Sequence, residues 1–230
     1  MVVNDKKFVY TTGTVAHTKK LELKRWFADT EDLITTRIFD EIKPDLPHSE
    51  LEFKKLYMYD FIIHQIVQDI LDNLRKGERV TVGIEGYSYS SAAGPLIDLV
   101  TFGTLLRIGI SKSLPDRLSS SSRDYLTIYQ PTEVKQRAAA LTYPPIPQNK
   151  AGTKVIYRNN EGVAGGSFKK PEIYKALIEN QKLQNDPWII YLKEHADEIL
   201  AMKSIPKPIE DVNDAKILYE IIRQPIPLDK

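Results

Sequence analysis

The stretch Val80-Thr81-Val82-Gly83-Ile84-Glu85-Gly86 decides the fold class. It is short, rich in β-branched residues and closed by glycine, so it reads as a core strand that ends on an acid. Upstream, Ile63, Ile66, Val67, Ile70, Leu71 and Leu74 recur at i, i+3, i+4 and i+7. That spacing predicts a helix over residues 49–75, and Gly77 stops it. Downstream, residues 86–93 form a small, polar and aromatic loop. Leu96, Leu99, Val100, Leu106 and Ile110 then predict a second helix over 95–110. The run Asp124-Tyr-Leu-Thr-Ile-Tyr129 predicts another core strand, closed by Pro131. Helix, strand, helix, strand describes an α/β sheet flanked by helices.

Toward the N-terminus, residues 7–15 predict a strand, and the alternation that opens residues 20–27 predicts the next strand of a meander. Residues 28–50 are polar, carry Pro44 and Pro47, and predict a loop or insertion. Residues 142–168, rich in proline and glycine, predict an irregular insertion. Helices are expected again over 171–181, 188–202 and 211–223, with Pro206 and Pro208 as breakers. No internal repeat is present, and 230 residues suffice for one domain.

Composition narrows the chemistry. With 42% hydrophobic and 27% charged residues the chain is globular. The absence of cysteine excludes disulfides, thiolate nucleophiles and thiolate zinc sites together. The four histidines, His17, His48, His64 and His195, are scattered, so metal chemistry must rest on carboxylates and favours magnesium or manganese. No apolar run is long enough to cross a bilayer and no signal-peptide pattern is present, so the cytoplasm is the default expectation. Between Arg107 and Lys182, thirteen Lys and Arg face six Asp and Glu, a local balance of +7 in a chain whose total is +1. A basic middle suits a phosphate-rich partner, and it equally suits a solvated surface with no ligand.

Three acids stand out by position. Glu85 ends a strand, and ligands gather at the carboxyl ends of strands in open α/β sheets. Asp211 and Asp214 are three apart at the start of the last predicted helix and share one side of its first turn. Carboxylates gathered in this way around magnesium form the clamp used for in-line attack on a phosphodiester. Taken singly, each has an ordinary alternative: a solvent-facing strand end for Glu85, and a cap or a macrodipole charge for the two aspartates.

Taken together and in order, three segments resemble the RuvC-type Holliday-junction resolvases of the RNase H-like superfamily. Val82-Gly-Ile-Glu85-Gly-Tyr is similar to that family's second catalytic strand. Tyr129-Gln-Pro-Thr-Glu-Val-Lys135 is similar to its strand followed by a Pro-x-x-Val-Lys turn. Asp211-Val-Asn-Asp214-Ala215 resembles its closing helix. The resemblance spans nearly the whole chain, with extra sequence near 28–50 and 142–168. It implies an RNase H-like mixed sheet flanked by helices, with Glu85, Asp211 and Asp214 as ligands of Mg2+ or Mn2+ and Lys135 near the scissile phosphate. Lys169 or Lys170 would match a second family lysine, and Tyr87 and Tyr89 fall where relatives place an aromatic that can stack at the junction. Packing beneath the loop is the alternative for both tyrosines. The implied activity is cleavage of Holliday junctions or other branched DNA during phage or viral genome processing, by a homodimer to which the 49–75 helix could contribute. A DNA-binding homologue that does not cut, and an RNase H-type enzyme acting on RNA–DNA hybrids, are the alternatives.

One family element lacks a counterpart. The first, central strand, which carries a further Asp, is absent, because Met1-Val-Val-Asn-Asp5 aligns with the second strand and its hairpin turn. Asp5 is the one acid nearby and is expected to serve the turn. The missing strand could be encoded upstream, could come from another chain, or could be lost in a non-cutting homologue. Retention of Glu85, Asp211 and Asp214 favours the first.

Overall fold

The computed structural model describes residues 1–12, 21–43, 45–86, 93–114, 126–147, 150, 155–157 and 168–223. The chain opens with a hairpin of β1 (Val2–Val3) and β2 (Lys6–Thr12). Its two turn residues, Asn4 and Asp5, have φ of 45° and 63°. That left-handed pair is the geometry whose twist matches a two-residue hairpin, and short polar side chains tolerate it best. Asp5 is therefore a turn residue, as its sequence position suggests.

The next segment departs from the expected meander. Residues 21–29 form helix α1 (Leu21–Asp29), which crosses over to β3 (Ile34–Phe39), parallel to β2. The alternation at the start of 20–27 is too short to compete with a helical face. Trp26 and Thr30, four apart, are both 1% exposed, and the Thr30 hydroxyl donates to the Trp26 carbonyl at 2.7 Å. Two parallel strands also require a crossover, which a meander does not supply. The polar stretch 28–50 is correspondingly not all loop, since its Ile-Thr-Thr-Arg-Ile-Phe run is β3.

Helix α2 (His48–Asp72) leads to β4 (Val82–Glu85), α3 (Ala93–Ser113) and β5 (Leu126–Tyr129), which pairs in parallel with β4. Pro131 does more than close β5. It stands in the first turn of helix α4 (Pro131–Thr142), where its missing N–H costs nothing. Within 142–168, β6 (Pro145–Pro147) and β7 (Val155–Tyr157) pair antiparallel, so the part described there is a hairpin rather than irregular chain. Helices α5 (Lys170–Glu179), α6 (Pro187–Glu194), α7 (Ala196–Ala201) and α8 (Ile209–Arg223) complete the chain, the 188–202 helix being divided at His195.

The result is an α/β architecture: a small mixed sheet, β1-β2-β3, and a separate parallel pair, β4-β5, flanked by helices on both faces. Neighbouring residues of β2 define the two faces. Val9 joins the larger core, with Trp26, Tyr174, Trp188 and Ile217, whereas Tyr10 packs on the smaller one around Ile66, Ile70 and Ile110. Helices α4 to α8 therefore cover one face, and α2 and α3 the other. Gly83 permits the closest approach, since a Cβ there would lie 2.4 Å from Cδ1 of Ile222 on α8.

Two buried charges fasten these layers. On α2, Asp69 is 1% exposed and accepts from Tyr10 (2.9 Å) and from two nitrogens of Arg37 (2.6 and 3.2 Å), joining the helix to β2 and β3. On α8, Lys216 is 1% exposed and pairs with Asp186 (2.7 Å), Glu220 (2.8 Å) and Asp5 (3.1 Å). Removing Lys216 takes from Asp186 and Glu220 their nearest cation and leaves them the more distant Lys7 (3.4 Å) and Arg223 (3.8 Å). The Lys216→Met substitution is expected to cost about 3–5 kcal/mol of stability, measured by urea unfolding followed by circular dichroism.

Candidate functional site

Glu85 is the last residue of β4, in register with Tyr129 at the end of β5, and the Gly86 amide donates to the Tyr129 carbonyl at 2.7 Å. The carboxyl ends of the parallel pair thus open at one place. The first turns of α8 and α5 converge there. Helix α8 contributes Glu210, Asp211 and Asp214, and α5 begins at Lys170, behind Lys169. The Glu172 side chain accepts from the Lys169 amide at 2.9 Å and fixes that entry.

The structure brings Asp214, Lys170 and Lys135 within electrostatic reach of Glu85. Partial desolvation and then the charge of Asp214 hold the Glu85 carboxyl above its ordinary range, against the opposing pull of Lys170 and Lys135. Burial likewise raises Asp214; its hydrogen bond to Lys170 offsets part of this, and the charges of Glu210 and Asp211 restore it. Burial would lower Lys170, but Asp214, Glu210 (3.5 Å) and Glu85 outweigh it and hold the ammonium firmly protonated. The pattern is that of several carboxylates sharing too little positive charge.

Other expected members stand apart. Asp211 is paired with Lys207, four residues before it, and both side chains are more than 40% exposed. Lys169 is exposed. Tyr87, Tyr89 and the glycine-rich 162–167 segment lie outside the described residues. Asp5 pairs with Lys216 and Arg223 (3.5 Å), toward the C-terminal half of α8, and takes no part in the cluster. Sequence reasoning missed Glu210 and Lys207. The signal was present in their spacing, because Glu210 precedes Asp214 by one helical turn and Lys207 precedes Asp211 by the same step.

Among the described residues, no group of three or more His, Asp or Glu side chains is placed to hold a metal ion. The expected trio of Glu85, Asp211 and Asp214 is therefore not assembled as a cage. Glu85 and Asp214 have the hard oxygen donors that magnesium prefers and face a common region, so these two fit such an ion. For Asp214 to bind one, Lys170 must move aside, and for Asp211, Lys207 must do the same. No family model, curated protein or solved structure matches the chain.

A carboxyl raised in the folded state costs stability only when ionised. For Glu85 that cost is absent below the unfolded carboxylate range, grows as pH rises through it to the raised folded value, and then stays constant. The Glu85→Gln variant is expected to melt at a higher temperature than the unmodified chain at pH 7, with the difference vanishing near pH 3, as followed by thermal unfolding across that range.

Proposed function

We propose that the chain is a metal-dependent, structure-selective endodeoxyribonuclease of the RuvC-type, RNase H-like kind, acting on Holliday junctions or other branched DNA. The observation that carries this reading is the convergence of Glu85 and Asp214, both with raised carboxyls, beside Lys170 and Lys135 at the carboxyl end of a parallel strand pair. Carboxylates crowded in this way are stabilised by a divalent cation, and the adjacent lysines suit a phosphate. Glu85 and Asp214, joined by Asp211 once Lys207 releases it, would hold Mg2+ or Mn2+. When bound, that ion would lower the pKa of a water and neutralise the phosphodiester's developing charge. Lys170 would pass from Asp214 to a phosphate oxygen, Lys135 would hold the neighbouring phosphate, and Lys169 would extend the contact along the backbone.

A second reading is favoured by one observation. Lys170 already neutralises Asp214, as Lys207 does Asp211, so the cluster is satisfied in part without an ion. On that reading the chain binds branched DNA without cutting it. A labelled four-way junction with Mg2+ or Mn2+ separates the two, with an RNA–DNA hybrid alongside as the RNase H-type substrate. Paired nicks in the junction that fall by at least about 100-fold in Asp214→Asn support the nuclease. Junction binding without cleavage supports the second reading, and cleavage of the hybrid alone supports an RNase H-type activity.

The homodimer belongs to the same proposal. Phe53, Tyr57 and Phe61 recur every four residues along α2 and are 59%, 65% and 64% exposed, an apolar ridge of the kind subunits bury. If this ridge is the interface, Tyr57→Glu is expected to convert a dimer to a monomer in sedimentation velocity while leaving the melting temperature of the monomer unchanged.

A further inference from the structure

We propose that Lys170 is an exchangeable plug: held on Asp214 it is withheld from phosphate, so a divalent cation and a phosphodiester backbone each promote binding of the other. This coupling rests on the nuclease reading and adds to it a control of when the site loads. In the chain alone, each ligand finds its group already taken. The cation meets an Asp214 paired with Lys170, and the phosphate meets a Lys170 paired with Asp214 and Glu210.

Two lysines meet carboxylates on α8, and they differ in what can replace them. Lys216 is enclosed with Asp186 and Glu220 and is out of reach of solvent. Lys170 keeps 43% of its side chain exposed, with Asp214 at 25% and Glu210 at 27%, so dissolved species reach all three. The base of its stem is nevertheless fixed. Phe168 is buried two residues before it, Ile173 and Tyr174 are buried after it, and the Glu172 side chain accepts from the Lys169 amide. A lysine with an anchored base and an accessible head changes partner by rotating its side-chain torsions alone. Glu210, one turn before Asp214 and 3.5 Å from the ammonium, gives it a second hold. An ammonium displaced from Asp214 therefore stays at the rim of the site.

Competition then runs in both directions. A divalent cation on Asp214 releases the ammonium, and a phosphate on the ammonium releases Asp214. Each ligand removes the other's competitor, and the gain in affinity is the same whichever binds first. Couplings of this kind are ordinarily worth about 5- to 150-fold. Lys135, exposed on α4 and acting on Glu85, brings a second positive charge to the same end of the strand pair, where a backbone phosphate is drawn toward Lys170.

The test uses the full chain and needs no cleavage. Affinity for a labelled four-way junction is read by fluorescence anisotropy in EDTA for the unmodified chain, Asp214→Asn, Lys170→Met and the double variant. Asp214→Asn is expected to tighten binding by at least about fivefold, because it frees the ammonium for phosphate, and most of that gain is expected to vanish when Lys170 is also Met. Without DNA, Mn2+ binding is followed by electron paramagnetic resonance. Lys170→Met is expected to bind the ion at least about fivefold more tightly, and Lys170→Arg, which keeps the competing charge, to stay near the unmodified value. Thermal unfolding checks that each variant is folded, with Lys170→Gln in place of Lys170→Met if the latter is not. An equal gain from Asp214→Asn in both backgrounds, or an unchanged Mn2+ affinity in Lys170→Met, would overturn the coupling and leave the nuclease reading standing. Failure of every variant to bind either the junction or Mn2+ would remove that reading and the coupling with it.

Discussion

Lys216 is the charge on which the arrangement depends. It is buried to 1% exposure, a position that would ordinarily drive an ammonium to lose its proton. Hydrogen bonds donated to Asp186 and Glu220 outweigh that burial and raise its pKa instead. Each partner belongs to a different part of the fold. Asp186 caps α6 by accepting from the Trp188 amide, Glu220 lies one turn farther along α8, and Asp5 occupies the turn of the first hairpin. One ammonium thus fixes how α8 lies against the hairpin and the helical layer. Such a triad adds little net stability over an apolar core, but it penalises any other rotation of α8 severely, because each alternative strands a buried charge.

The orientation of α8 then sets the chemistry at its opposite end. With Lys216 turned inward, Asp214, two residues earlier, faces the end of β4, while Asp211 meets Lys207 near solvent. The helix N-terminus adds a partial positive charge to this region, which favours carboxylates there but does not balance four of them. Lys170 supplies the remaining charge for Asp214 and Glu210 together. A lysine shared in this way is a mobile countercharge on a flexible stem. On the proposed function it would yield to a divalent cation and take up a phosphate without rearrangement of the backbone.

Much of this was legible in the sequence where periodicity was long. The six apolar positions from Ile63 to Leu74 specify α2, and the Val-Gly-Ile run specifies β4, because both patterns outlast chance alternation. Leu21 and Leu23 do not; two alternating residues cannot distinguish a strand from a helix whose buried face is set by Trp26 and Thr30. β3 was hidden because it is six residues long within polar sequence, and α4 because Pro131 signals a break and a helix start equally well. At the site, Glu85 and Asp214 were legible from their places at the ends of elements. The pairing of Asp211 with Lys207 is a matter of local competition, and the acid pattern alone does not reveal which carboxylate a lysine will claim.

The division of the sheet and the carboxylate cluster are one physical problem rather than two. Glu85 and Asp214 belong to the site and also line the cavity between β1 and β4. Desolvation is the largest cause of the raised carboxyl at each of them. Any change that narrowed the cavity would therefore strengthen their mutual repulsion, and only added positive charge would offset it.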